Sequence, residues 1–218
     1  MREFHPYTKP SVNERIVFFW ITAVSFVISV LIGLGVKHII TPEILNSLTA
    51  IKVVELLFAG YPILIFEALY WLFNRCLWRF FYRSLIIEGN YEGTFKSSYD
   101  NFRKEREVRI KVRQKFNEIS ITWEVPGSSK SWSINASLEK ISPNSVRLIY
   151  NYRNEPTGGT VESPTQNIHY GTAILYFEND KLEGKYFTSE RPNDSGNQVS
   201  NWGIVQAEKL EQHKRGEK

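Results

Sequence analysis

EVRIKVRQKF, residues 107–116, alternates without a break: Val108, Ile110 and Val112 fall on one face, and Arg109, Lys111 and Arg113 on the other. Successive side chains of an extended strand point to opposite sides, so a two-residue apolar period marks a strand with one buried and one wet face. The period continues along the chain. Ile119, Ile121, Trp123 and Val125 carry it, as do Trp132, Ile134, Ala136 and Leu138, and then Val146, Leu148, Tyr150 and Tyr152. Strands are predicted near 85–95, 106–116, 119–126, 131–141, 145–153, 168–178, 181–189 and 198–208. Eight successive antiparallel strands without an intervening helix suit a sandwich or, better, a small closed barrel, in which closure removes exposed strand edges.

The connection lengths divide the two ends of such a barrel. In an up-and-down order, Phe116–Ile119, Ser142-Pro143-Asn144 and Asn179-Asp180 are tight turns at one end. Segments 96–105, 126–130, 154–167 and 190–197 are longer and gather at the other. Irregular loops on a rigid scaffold are where binding residues collect. Tyr152, Arg153, His169, Tyr186, Thr188 and Arg191 sit at or beside this end, with Tyr91, Thr94 and Trp123 as further candidates. Arginine forks match phosphate oxygens and aromatic rings stack on bases. An eight-stranded barrel has room inside for side chains or for one small ligand. The same residues have a plainer reading: Trp123, Tyr150 and Tyr186 as core, and Arg153 as a solvated surface cation. Arg191, in FTSERPNDSG, has Thr188, Ser189 and the amides around Gly196 beside it to complete an anion nest.

Towards the N-terminus the character of the chain changes. Residues 16–36 (IVFFWITAVSFVISVLIGLGV) carry no charge and are closed by Arg15 and Lys37. About 20 apolar residues cross a bilayer core, and residues 53–73 (VVELLFAGYPILIFEALYWLF) have the same reach. Two transmembrane helices are therefore expected, the second followed by a belt of Arg75, Trp78, Arg79, Tyr82 and Arg83. Basic residues favour the cytosolic side. Arg2, Lys9 and Arg15 then place the N-terminus in the cytosol, and the C-terminal belt returns the chain there. Ser25, Ser29 and Gly33 recur every four residues on one face of the first helix, a spacing that lets helices approach closely in lipid. Glu55 and Glu67 are ionisable groups within a span. Glu67, near its middle, reads as an oligomer seam, a wet path, or a tolerated protonated acid. The expected organisation is a cytosolic tail at 1–15, a two-helix membrane region at 16–83, a β-barrel ligand-recognition domain at 84–210, and a solvated tail at 211–218.

Composition narrows the function. Across 218 residues the net charge is +4, much of it beside the apolar segments, which suits a membrane flank rather than duplex DNA or RNA. Cys76 is the single cysteine, so neither a disulfide framework nor a cysteine metal site is available. The histidines are scattered at 5, 38, 169 and 213, which excludes a histidine metal cluster and leaves any hydrolytic triad resting on His169 alone. Phosphate-loop, dinucleotide-fold, zinc-protease and nucleophile-elbow motifs are missing. A binding protein without cofactor or metal is expected, not an enzyme.

Two leading spans, then a strand run opening with GNYEGTF (Gly89, Tyr91, Gly93), continuing with HYGTAILYF from His169 and closing with LEGKYFTSERPNDSG (Gly184, Tyr186, Thr188, Arg191, Gly196), form a recognisable pattern. It resembles the two-transmembrane, β-strand-rich effectors of bacterial CBASS anti-phage systems. The resemblance implies a barrel that recognises a cyclic di- or trinucleotide made by a neighbouring synthase. It further implies self-association on binding and disruption of the inner membrane, an abortive-infection response. By position, Tyr186, Thr188 and Arg191 fall in the matching segment. The alternative is a membrane-tethered, lipocalin-like barrel for a small apolar ligand.

Overall fold

The computed structural model describes residues 4–39, 48–157, 168–189, 191–192 and 198–210. The chain forms two compact units: residues 12–81 are helical, and residues 1–11 together with 82–218 make the β unit.

In the helical unit, α1 spans Glu14–Ile39 and α2 spans Leu48–Leu72 with Pro62 inside it. A π-helical turn, Phe73–Leu77, leads to the short α3, Trp78–Phe81. Among the described residues, one segment, Glu14–Gly35, meets the length and hydropathy needed to cross a membrane. α1 packs on α2, with Phe18 stacked on Tyr70 at 5.4 Å between centroids. A stripe of Val17, Ile21, Ser25, Ser29 and Gly33 is buried at four-residue intervals. The Ser29 hydroxyl donates to the Ser25 carbonyl at 2.7 Å and the Ser25 hydroxyl to the Thr22 carbonyl at 2.8 Å, so neither polar group is left unsatisfied. Phe19, Trp20, Phe26 and Leu31 remain exposed on the other sides. On α2, Glu67 is exposed in line with exposed Ile63, Leu64 and Trp71. The side chains of 36–39 and 48–59, Glu55 among them, lie outside the described residues.

The β unit is a closed barrel. Its long staves are β2 (Gly89–Ser97), β3 (Arg106–Gln114), β4 (Glu118–Val125), β5 (Ser129–Ser142), β6 (Ser145–Pro156), β7 (His169–Glu178), β8 (Lys181–Thr188) and β11 (Trp202–Lys209). Consecutive staves pair antiparallel, β11 pairs back to β2, and the up-and-down order holds. Two-residue strands β9 (Arg191–Pro192) and β10 (Gln198–Val199) form a separate hairpin inside the β8–β11 connection.

Two expectations need correction. Residues 1–15 are not simply a tail, because His5–Thr8 form β1, a stave of the barrel. The ring is also not wholly antiparallel and eight-stranded. β4 and β5 pair directly only over Thr122–Val125 and Ser129–Trp132, and below that point β1 lies between them. It is antiparallel to β4 and parallel to β5. Four residues are too short to show a convincing alternation, and Pro6 argues against a central strand, so β1 carries no clear sequence signal. β7 and β8 match their expected ranges to within one residue, whereas the last stave starts at 202, after the β9–β10 hairpin. The expected tail at 211–218 lies outside the described residues.

The interior is graded. At the tight-turn end, aliphatic residues close the barrel: Val108, Ile110, Val112, Ile119, Ile121, Leu138, Leu148, Leu175, Leu182 and Val205 are each at most 1 % exposed. The Tyr91 ring packs edge-on against Phe177 here, and its hydroxyl donates to the Ile87 carbonyl at 2.9 Å. β1 runs parallel to β5 towards this end, and β2 begins at it.

Candidate functional site: a cavity at the long-loop end

Above the aliphatic layer the inner face changes to aromatic and polar residues and opens into a cavity of about 260 Å³. Its floor is a three-ring cluster: Phe95–Trp123, Phe95–Tyr186 and Trp123–Tyr186 meet edge to face at 6.1, 6.0 and 5.8 Å. These rings come from β2, β4 and β8, so three parts of the wall share the floor. Tyr150 and Tyr152 of β6 stand on the far side, 6.2 Å apart. Burial pushes the Tyr150 phenol well above its ordinary range, with Tyr152 adding to the shift, so it stays protonated.

Narrow barrels hold large rings only where a neighbouring stave gives way. Gly171 lies across from Tyr152, and a Cβ there would collide with the Tyr152 hydroxyl and the Phe187 carbonyl. Gly203 lies across from Tyr186, and a Cβ there would meet that ring and the Lys96 carbonyl. These glycines serve close approach rather than a turn.

The rim is polar. Ser128, Ser129, Ser131, Asn154 and His169 line it, and Arg106 supplies a cation. Arg106 opens β3, where β2 ends. Its guanidinium is fixed on two sides, by Asp100 (Nη2 to Oδ2, 2.6 Å) and by the Phe95 ring (5.8 Å from Cζ to centroid). The loop carrying Asp100 is itself tied down. The Ser97 hydroxyl accepts from the Tyr99 amide at 3.2 Å and the Ser98 hydroxyl from the Trp202 amide at 3.0 Å. The Phe102 ring packs at a tilt against Trp202, 4.7 Å between centroids. Asn101 and Phe102 both adopt positive φ, 57° and 60°, conformations that a phenylalanine takes only under constraint. No Asp or Glu is among the described residues lining the cavity.

Four of the six residues expected at this site line the cavity: Tyr152, His169, Tyr186 and Thr188. The Thr188 hydroxyl is already engaged with the Asn201 backbone, accepting from its amide at 2.9 Å, and so latches β8 to the start of β11. Arg153 does not join them. It follows inward-facing Tyr152, so strand alternation turns it outward, where it pairs with Glu155 at 2.8 Å. Arg191 has its backbone in β9, while its side chain lies outside the described residues. Of the further candidates, Trp123 is in the floor, Tyr91 lies in the closed half, and the Thr94 hydroxyl donates outward to Glu105 at 2.6 Å. Phe95, Tyr99 and Arg106 were not anticipated. Arg106 was open to detection, because it is in phase with inward-facing Val108, Ile110 and Val112.

Residues 86–200 match the family described as Cap15, cyclic dinucleotide receptor domain. The chain belongs to this family. The match starts just before β2 and ends two residues short of β11, so it takes in most of the described cavity lining. Cyclic dinucleotide recognition within CBASS defence is thereby the function of the domain. No curated protein matches the sequence.

Proposed function

We propose that the chain is a membrane-anchored effector whose cavity at the long-loop end takes a cyclic dinucleotide, and that occupancy drives self-association and inner-membrane disruption. One observation carries the placement of the site: a half-open cavity with an aromatic floor, a clamped arginine and no acidic group among its described lining residues. A cyclic dinucleotide offers base faces to the rings and two phosphates to a cation. Asp100 and Phe95 hold the guanidinium before the ligand arrives, so little side-chain freedom remains to be lost on binding. Tyr152, Tyr186 and Trp123 are assigned to base contacts, Arg106 to a phosphate, and the serines with Asn154 and His169 to polar edges. Pockets that bury most of a drug-sized ligand hold roughly 300–1,000 Å³. The described walls therefore enclose part of the ligand. An apolar ligand is the poorer fit, because it would take water from the serine hydroxyls, Asn154 and the Arg106 cation and offer them no hydrogen bond in return. Binding without turnover is part of this reading.

The membrane reading is supported by connectivity. β1 precedes α1 and the remaining staves follow α2, yet all belong to one barrel. Both ends of the intervening chain are thus on the same side of any bilayer, and a crossing by α1 requires a second crossing back. α2, with 25 residues, is the element for it; at 1.5 Å per residue it reaches about 37 Å, more than the roughly 30 Å hydrocarbon core. The arginines after α2 and before α1 favour the cytosol for both termini. The small-residue stripe of α1 is buried in the helical unit, so exposed Glu67, flanked by Ile63, Leu64 and Trp71, is the better candidate for contacts between copies.

Calorimetry of the full chain with a panel of cyclic dinucleotides tests the site. Heat from at least one member, much reduced in Arg106→Ala, is expected. No heat from any member removes the reading.

A further inference from the structure

β1 is held in the wall by few backbone partners. On one side His5 is opposite Ile119 and Pro6 opposite Glu118; on the other, Tyr7 is opposite Ala136 and Thr8 opposite Ser137. The ring does not depend on it for closure, because β4 and β5 pair directly at the cavity end. The slot is nevertheless read by side chains. Tyr7 is 6 % exposed; its hydroxyl donates to the Lys115 carbonyl at 3.1 Å and accepts from Gln114 Nε2 at 3.1 Å. His5 Nε2 lies 2.6 Å from the Ser133 hydroxyl, which also accepts from the Ile121 amide at 3.0 Å. The Lys9 ammonium sits over the Tyr7 and Phe116 rings at 4.3 and 4.6 Å. A short strand seated between two splayed staves, and chosen by pockets for its side chains, has the geometry of strand addition.

We propose that this slot is a strand-accepting site whose partner on assembly is a second copy of the chain: β1 of one chain enters between β4 and β5 of its neighbour. This rests on the self-association proposed above and gives it a structural route. Every contact made by β1 within one chain is available unchanged between two, which is why exchange of an identical element is a low-cost way to join copies. The slot stays filled in both arrangements, so the backbone groups of the splayed staves keep partners. Residues 9–13 connect β1 to α1, and five extended residues span up to about 17 Å, the reach open to an exchanged strand.

The test uses two full-length chains with different tags, both carrying Cys76→Ser, together in lipid vesicles with and without a cyclic dinucleotide. One carries Thr8→Cys and the other Ser137→Cys, register partners across the slot. Mild oxidation is expected to give a covalent dimer bearing both tags. The second register pair, Pro6→Cys with Glu118→Cys, should reproduce it, and the off-register pair, Thr8→Cys with Ser142→Cys, should not. A single chain with both Thr8→Cys and Ser137→Cys reports correct folding by cross-linking within itself. If that chain cross-links while neither register pair yields a doubly tagged dimer, or if the off-register pair yields as much, the exchange is overturned. Failure of every cyclic dinucleotide to bind in calorimetry would instead overturn the receptor reading, and the tagged dimers would still decide this one.

Discussion

Tyr186 and Gly203 face each other across β8 and β11, and the phenol ring fills the space that a side chain at 203 would need. Replacing that glycine adds volume where the Lys96 carbonyl, a backbone atom, also stands. Overpacking of this kind costs typically 1–3 kcal/mol. Gly203→Ala is expected to destabilise the barrel by about that amount and to weaken ligand binding by displacing the floor ring. Denaturant unfolding followed by calorimetry checks both effects.

Two arginines separate the cavity from its surroundings. Arg106→Ala is expected to weaken cyclic dinucleotide binding by roughly 10- to 100-fold, the loss of one or two hydrogen bonds to a charged group. Arg153→Ala should change it by less than about threefold, since an exposed pair such as Arg153–Glu155 contributes at most about 1 kcal/mol to stability. Equal losses in titrations of the two variants would place the ligand outside the cavity.

Alkaline pH should unfold the barrel through its tyrosines. Burial raises the Tyr150 phenol, with Tyr152 adding to it, and raises Tyr91, with Asp180 adding to it. A pKa raised in the folded state stabilises the fold below the unfolded value, here 10.0, and that contribution is lost as pH climbs above it. Stability is expected to fall by up to about 1.4 kcal/mol per pH unit for each group above that point. Tyr150→Phe should make the decline shallower in urea titrations between neutral and strongly alkaline pH; an unchanged slope would contradict the assignment.

Tyr7→Phe tests whether the first strand is part of the barrel. The variant keeps the ring but removes the hydroxyl shared with Lys115 and Gln114. A loss of about 0.5–1.5 kcal/mol is expected from thermal or chemical unfolding of the β unit. A free tail would register nothing.

Glu67→Leu should leave cyclic dinucleotide affinity unchanged and alter ligand-dependent dye release from vesicles. An ionisable group among exposed Ile63, Leu64 and Trp71 has a reason to be there only if lipid is not its sole neighbour. Identical release would remove it from the membrane step.

The barrel was legible because its staves are half-buried. Val108 to Val112 and Val146 to Tyr152 advertise their faces by alternation, and the tight turns fix which ends belong together. The site was legible where a residue lies in phase with that alternation near a long connection, as Tyr152, His169 and Tyr186 do. Arg153 lies near the mouth but out of phase with the cavity lining, because one residue along a strand reverses the face. Arg106 has both signals, since it follows the 96–105 connection and is in phase with Val108. β1 was hidden by its brevity and by pairing with staves more than a hundred residues away, a relationship with no local signature.

That distant pairing also sets an order of events during synthesis. His5–Thr8 leave the ribosome before either helix, but their partners at 118–119 and 136–137 appear only after both helices have been made. Contacts so far apart form late, since a long loop must close before they are rewarded. The wall is therefore completed only after both helices have been made. A chain whose first helix crosses the bilayer but whose second does not return leaves its opening strand on the wrong side, and cannot finish its own receptor.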